Sequence, residues 1–315
     1  MRSVDVHQHL WPEAVLRVLE QRGAPPRAHW RDGKWLVELA GEPAFEIDPA
    51  DHDPGRRAAE LEVDRALVAL SSAVGIEAMP PRDALAGIAA WQEAATQLPD
   101  ELGWWAATPV ALAGEGEAAI ATEAIAAGAA GVCLPADRLA SLTSARTALP
   151  LLAAVADTGA PVFIHPGPAA GTPSEPAWWS PSTRYVAQQQ AAWHAFHDVV
   201  RPQLPTLRAV FALLAGLAPL QSERSASREG PGEQALADPL TFYETSSYGP
   251  RAVRAMATAV GIGQLVHGTD LPVAREGNDP VARAFGQGFA KLVKTSAANR
   301  VLGYTWVPAV SEVSA

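Results

Sequence analysis

Short apolar runs of strand length alternate with alanine-rich stretches of helix length along the whole chain. The strand candidates are SVDVHQH near the start, then residues 65–72, 103–110, 130–136, 161–166, 207–216, 240–247 and 264–270. Each is bounded by Gly, Pro, Asp or Ser, as buried parallel strands are. Residues 83–98, 115–128 and 144–159 predict helices, several of them ending at a glycine. Strand–helix units repeated in this way predict a (β/α)8 TIM barrel formed by residues 1–315 as a single domain. An open doubly wound sheet is the alternative, but no glycine-rich phosphate turn follows the first strand.

Two stretches fall outside the repeat. Residues 24–55 read as a small hairpin insertion after strand 1, and residues 167–185 as a Pro/Gly/Ser-rich loop after the fifth strand. Loops on this side of a barrel are where substrate contacts gather.

Composition narrows the partners. With 24 basic against 34 acidic residues the formal net charge is −10, and no basic run offers a nucleic-acid or anionic-membrane surface. A small-molecule substrate is the expected partner, and a homodimer stays open as the assembly. The single cysteine, Cys133, excludes an intrachain disulfide and suits a reducing compartment. No signal-peptide core and no uninterrupted apolar run of membrane-spanning length is seen. A soluble, cytoplasmic protein is expected.

The chemistry concentrates at strand ends. His7 and His9 lie two apart in a strand, so both side chains share a face. That pattern alone is short enough to be a coincidence. However, His165 closes PVFIHP and Asp270 closes QLVHGTD. Ionisable groups at the ends of buried apolar strands are costly unless they are paired or coordinated. Three such strand ends point to one shared site. Three imidazoles and a carboxylate suit one divalent ion, Zn²⁺ first, with Mn²⁺ or Fe²⁺ as alternatives. His267, three residues before Asp270, is expected to turn away toward the helix layer.

DVHQHLWP, VFIHPG and HGTDLPV resemble the first-strand HxH, fifth-strand His and eighth-strand Asp motifs of the amidohydrolase superfamily. More narrowly, the chain resembles the branch that includes aminocarboxymuconate-semialdehyde decarboxylase and related aromatic-acid decarboxylases. The likeness runs from the first strand to AANRVLGY at 297–304. It implies His7, His9, His165 and Asp270 as metal ligands, and it covers both hydrolases and decarboxylases. One departure stands out: FALLAGLAP at 211–219 puts Leu213 where the sixth-strand His of that branch would be. The fourth strand, AGVCLPA, has no lysine for a carbamate bridge between two metals.

Around this centre, Trp178 and Trp179 are candidates for an aromatic wall, and Glu244 and Ser246 for substrate hydrogen bonds. Arg184, Arg224 and Arg251 could each bind a carboxylate, while Cys133 fits a small buried hydrophobe. The leading expectation is a metal-dependent hydrolase of a small amide, ester or lactone, using metal-activated water with Asp270 as general base. The alternative is a non-oxidative decarboxylase of an unsaturated or aromatic acid. Leu213 lacks a proton-carrying group, so simple aromatic acids are expected to be poor substrates.

Overall fold

The computed structural model describes residues 1–70, 72–112, 114–274 and 279–303. Strand β1 (Val4–His9) is buried at every position, as a strand covered on both faces must be. The next elements are helix α1 (Glu13–Glu20) and the short strands β2 (Arg27–Arg31), β3 (Lys34–Glu38) and β4 (Phe45–Ile47). Helix α2 (Pro54–Ala59) leads to β5 (Arg65–Ala69), α3 (Pro81–Ala95), β6 (Leu102–Ala106) and α4 (Glu115–Ala126). The chain continues through β7 (Gly131–Pro135), α5 (Leu142–Thr158), β8 (Val162–His165), α6 (Trp179–Ser182) and α7 (Arg184–Ala195). Strands β9 (Ala209–Phe211), β10 (Thr241–Glu244) and β11 (Leu265–Val266) complete the sheet.

The eight main strands run in the order β1-β5-β6-β7-β8-β9-β10-β11, every neighbouring pair parallel. The last strand returns to the first. Val6 N–H donates to His267 O at 2.9 Å, Asp270 N–H to His7 O at 2.8 Å and His9 N–H to Leu271 O at 2.7 Å. This is the expected (β/α)8 barrel. Val4, Leu67, Trp105, Phe163, Val210 and Phe242 fill its interior, and the Trp105 indole N–H donates to Val6 O at 2.9 Å. The helices cover the outer strand faces. Helix α5 is delimited as its sequence suggests, by a Ser141–Ser144 capping box and a left-handed Gly159.

Two expectations need correction. The insertion is a three-stranded antiparallel sheet, not a hairpin, and it follows α1. The third strand joins because Ile47 lies opposite Trp35, and both are buried. The sixth and eighth barrel strands are also shorter than their apolar runs. After Phe211 the chain leaves the sheet in a left-handed turn, with φ between 48° and 63° from Leu213 to Leu217. That conformation costs about 1–2 kcal/mol per non-glycine residue. Helix α7 holds the turn, Gln190 donating to Gly216 O at 2.8 Å.

No helix among the described residues is long and apolar enough to cross a membrane.

Candidate metal centre

The pairing of β1 with β5 is irregular between Asp5 and Gln8, and this bulge shapes the site. Val4 and Val6 belong to the barrel interior; strict alternation would then send His7 outward. The extra residue reverses the parity, so His7 and His9 also point inward at the strand's end. His165 arrives from the end of β8, and Asp270 from the segment that closes the barrel against β1.

These four side chains meet. One ligand atom from each lies within 4.8 Å of all the others. His7 Nε2 is 3.1 Å from His9 Nε2, and Asp270 Oδ1 is 3.0 Å from His9 Nε2 and 3.4 Å from His7 Nε2. Ligands at zinc–nitrogen distances in a tetrahedron lie about 3.3 Å apart, so this spacing suits a single first-row ion.

The outer ring nitrogens strengthen the fit. His7 Nδ1 lies 3.0 Å from Glu244 Oε2, His9 Nδ1 3.3 Å from Ala69 O and His165 Nδ1 2.8 Å from Pro166 O. Each acceptor assigns the proton to Nδ1 and leaves the Nε2 lone pair facing the common point, the arrangement that metal-binding histidines use.

Burial opposes charge on every member, and the neighbours decide which group carries one. At His7 the burial penalty is outweighed by Glu244 and Asp270, and its pKa is pushed up to about 9. At His9 and His165 burial prevails, and both are lowered. Asp270 would be raised by burial, but His7 and His9 hold it down at about 2. The metal-free site therefore holds a proton on His7 at neutral pH. An incoming ion must displace it, so affinity for added Zn²⁺ should rise up to tenfold per pH unit between 7 and 8.5 and level off above about 9. For the metal-free protein the sign is opposite: His7 contributes stability below pH 6.5 that is lost as pH rises through about 9. Metal titrations by calorimetry at several pH values check this, and a flat affinity over that range would contradict it.

Asp270 has a left-handed backbone, φ 60°, as does Ser247, φ 65°. Ser247 Oγ donates to Asp270 Oδ2 at 3.4 Å. Such conformations cluster at functional sites, and Asp is among the residues that tolerate them.

Glu244 and Ser246 were expected to face a substrate; the structure places them behind His7 instead. Glu244 is wholly buried, and Ser246 Oγ donates to its Oε2 at 2.9 Å. Gly268 makes room for this pair, since an added Cβ would overlap the Glu244 carboxylate. Trp178 and Trp179 are 61% and 39% exposed and pack edge-on against each other; among the described residues nothing joins them to the four ligands. The aromatic rings against the cluster are Phe163, 4.9 Å from His7 and 5.7 Å from His165, and Trp11, stacked on His9 at 6.1 Å. Each lies two residues from a clustered histidine, Phe163 before His165 and Trp11 after His9, and that spacing was the available signal.

His267 stays apart, lining a cavity of about 830 Å³ behind β1 with Asp5, Gln8 and Lys294. Arg184 is engaged by Glu175, with Nη2 to Oε1 at 2.8 Å, while Arg224 and Arg251 are exposed. Cys133 is buried in the barrel interior. Leu213 is 9% exposed and packs with the interior residues, leaving an apolar wall at the end of β9.

The fold and the cluster together define a (β/α)8 barrel with three histidines and an aspartate at the carboxyl ends of its strands, a group that could hold a metal ion. No protein-family model matches the chain, and no curated protein does either. Solved structures do share the fold. An IDCase from Metarhizium anisopliae is 18% identical, covering 96% of this chain and 97% of its own, with a TM-score of 0.77. A protein described as an amidohydrolase II is 15% identical over 96% of this chain and 99% of its own, with a TM-score of 0.70. A 5-carboxyvanillate decarboxylase from Novosphingobium aromaticivorans, solved with manganese, is 16% identical over 80% of each chain, with a TM-score of 0.65. At these identities the likeness is one of fold, and it agrees with the amidohydrolase-type barrel that the strand-end motifs resemble.

Proposed function

We propose that the chain is a metal-dependent carboxy-lyase acting on an unsaturated or aromatic acid. The observation that carries this reading is the barrel shared with a 5-carboxyvanillate decarboxylase solved with manganese, together with the clustering of Asp270 with three histidines at the strand ends. Hydrolysis of an amide needs two proton movements, one away from water and one onto the leaving group. Decarboxylation needs a single proton delivered to carbon. One carboxylate can serve either reaction, passing water's proton on to a leaving group or giving a proton to carbon, so the fold shared with a 5-carboxyvanillate decarboxylase is what favours the carboxy-lyase over the hydrolytic reading.

A divalent ion held by His7, His9, His165 and Asp270 would supply positive charge to attract and orient the acid's oxygens. The chain's own residues do the rest. Asp270 has little affinity for a proton while the histidines surround it. A substrate carboxylate beside it raises that affinity, because two like charges disfavour each other in a shared buried site. An anionic acid thus offsets part of the positive charge around Asp270 and favours its protonated form, whereas a neutral lactone does not. As the carbon–carbon bond breaks, its electron pair stays on the substrate carbon and takes the proton from Asp270. Carbon dioxide leaves, and solvent reprotonates Asp270. Glu244 fixes the ring of His7 throughout.

Leu213 then limits the range of acids instead of excluding the reaction, and the fold shared with a 5-carboxyvanillate decarboxylase supports this. The experiment is product analysis on a panel of hydroxylated aromatic acids, lactones and amides with the metal-loaded protein. Carbon dioxide from an acid, with lactones and amides intact, is the expected result. Hydrolysis of a lactone or amide without carbon dioxide from any acid would restore the hydrolytic reading.

A further inference from the structure

The three imidazoles of the cluster are not held equally. His165 Nδ1 has Pro166 O at 2.8 Å and His7 Nδ1 has Glu244 Oε2 at 3.0 Å, but His9 Nδ1 reaches Ala69 O only at 3.3 Å. That is longer than the usual N–H···O bond, so this contact alone orients the His9 ring loosely. The rings of His7 and His165 stand nearly perpendicular to His9, at 88° and 86°. Among the described residues Trp11 alone lies parallel to it, at 10° and a centroid distance of 6.1 Å, within the range of an offset stack.

Trp11 is itself clamped by the insertion. Its ring packs on Phe45 of β4 at 5.5 Å and on His52 at 4.8 Å, and its backbone N–H donates to His52 Nδ1 at 3.1 Å. Burial and Arg57 push the His52 pKa down to about 3, so Nδ1 keeps the lone pair that this bond needs. His52 ends the turn Pro49–His52 that follows β4, and β4 is fixed to β3 through the buried Trp35 and Ile47. One line of contact therefore runs from the three-stranded sheet through Trp11 to His9.

What Trp11 supplies is its face. Its indole N–H is buried and has no hydrogen-bond partner, and such a donor lowers stability. A phenyl ring would occupy the place without that donor; an aliphatic side chain would occupy it without a flat surface.

We infer that Trp11, backed by Phe45 and His52, is a positioning residue that holds the His9 ring in its metal-binding orientation. The insertion then acts on the metal centre from outside the barrel. Groups that orient a ligand in this way are worth about 10–100-fold in metal affinity. The inference rests on the four clustered residues holding a metal, not on which reaction follows.

The test is metal binding. Calorimetric Zn²⁺ titrations compare the wild type with Trp11→Leu, Trp11→Phe and Phe45→Leu. Trp11→Leu should lower the affinity about tenfold or more, while Trp11→Phe should stay within about threefold of the wild type. Phe45→Leu leaves both His9 and Trp11 in place; it should weaken binding about threefold or more, and it serves if Trp11→Leu fails to fold. The visible bands of the Co²⁺-loaded protein, which follow the geometry of its ligands, should shift in Trp11→Leu and not in Trp11→Phe. Equal affinity in the two Trp11 variants, or unchanged affinity in folded Phe45→Leu, would overturn the inference. So would affinity losses that merely track the melting temperatures of the metal-free variants. A wild type that takes up no Zn²⁺ would instead remove the metal centre, and the inference with it.

Discussion

Asp270→Asn should lower turnover by about 10²–10⁴-fold, the usual worth of a positioned proton carrier, while the protein stays folded and keeps most of its metal. The packing cost is small for two reasons. Asn is nearly isosteric with Asp, and Asn also tolerates the left-handed backbone found here, φ 60°. Its amide oxygen can still take the place of Oδ1, which lies 3.0 Å from His9 Nε2. What the amide cannot do is accept a proton and hand it to carbon. Melting temperature and metal content near wild-type values, with turnover lost, is the expected combination. Near-normal turnover would make the carboxylate structural and end the mechanism proposed above.

His7→Ala should do something different: it should empty the site and weaken the fold. His7 contributes one of four ligands, so its loss should lower metal affinity by more than the roughly 10–100-fold typical of removing an outer hydrogen-bond partner. It also leaves Glu244, wholly buried, without the ring it faces at 3.0 Å. Breaking a buried charged pair from one side costs about 3–5 kcal/mol. Glu244→Gln is the informative companion. It keeps the ligand and the shape but weakens the acceptor at Nδ1, so affinity should fall by about 10–100-fold and the metal-free fold should suffer less. Metal titration and thermal melts of both variants measure this. If His7→Ala retained a full complement of metal at unchanged affinity, His7 would not be a ligand of the centre.

The contrast between the two substitutions shows how the site is divided between sequence and fold. The four clustered residues were legible because each is an ionisable residue at the end of an apolar run, a position that burial makes expensive without a purpose. Glu244 and Ser246 were also legible as sharing one side of a strand. Their direction was not, because only closure of the barrel brings β10 up to a histidine 237 positions away. The bulge in β1 left no local trace either, since Val4 and Val6 look like ordinary strand residues. Trp178 and Trp179 drew notice as a conspicuous aromatic pair, yet the structure leaves them exposed. Phe45 reaches Trp11 only because the three-stranded insertion folds back over the end of β1. Period and residue type revealed the barrel; the contacts that complete the site depend on separations that neither encodes.

The most direct test of the central claim is carbon dioxide release as metal is returned to chelator-treated protein. A hydroxylated aromatic acid labelled at its carboxyl carbon serves as substrate, and Zn²⁺ or Mn²⁺ is added in steps. Release should be absent without metal, rise in proportion to the ion added and saturate at about one equivalent per chain. Undiminished release from metal-free protein, or saturation only at a second equivalent, would contradict a reaction at a single-metal centre built from His7, His9, His165 and Asp270.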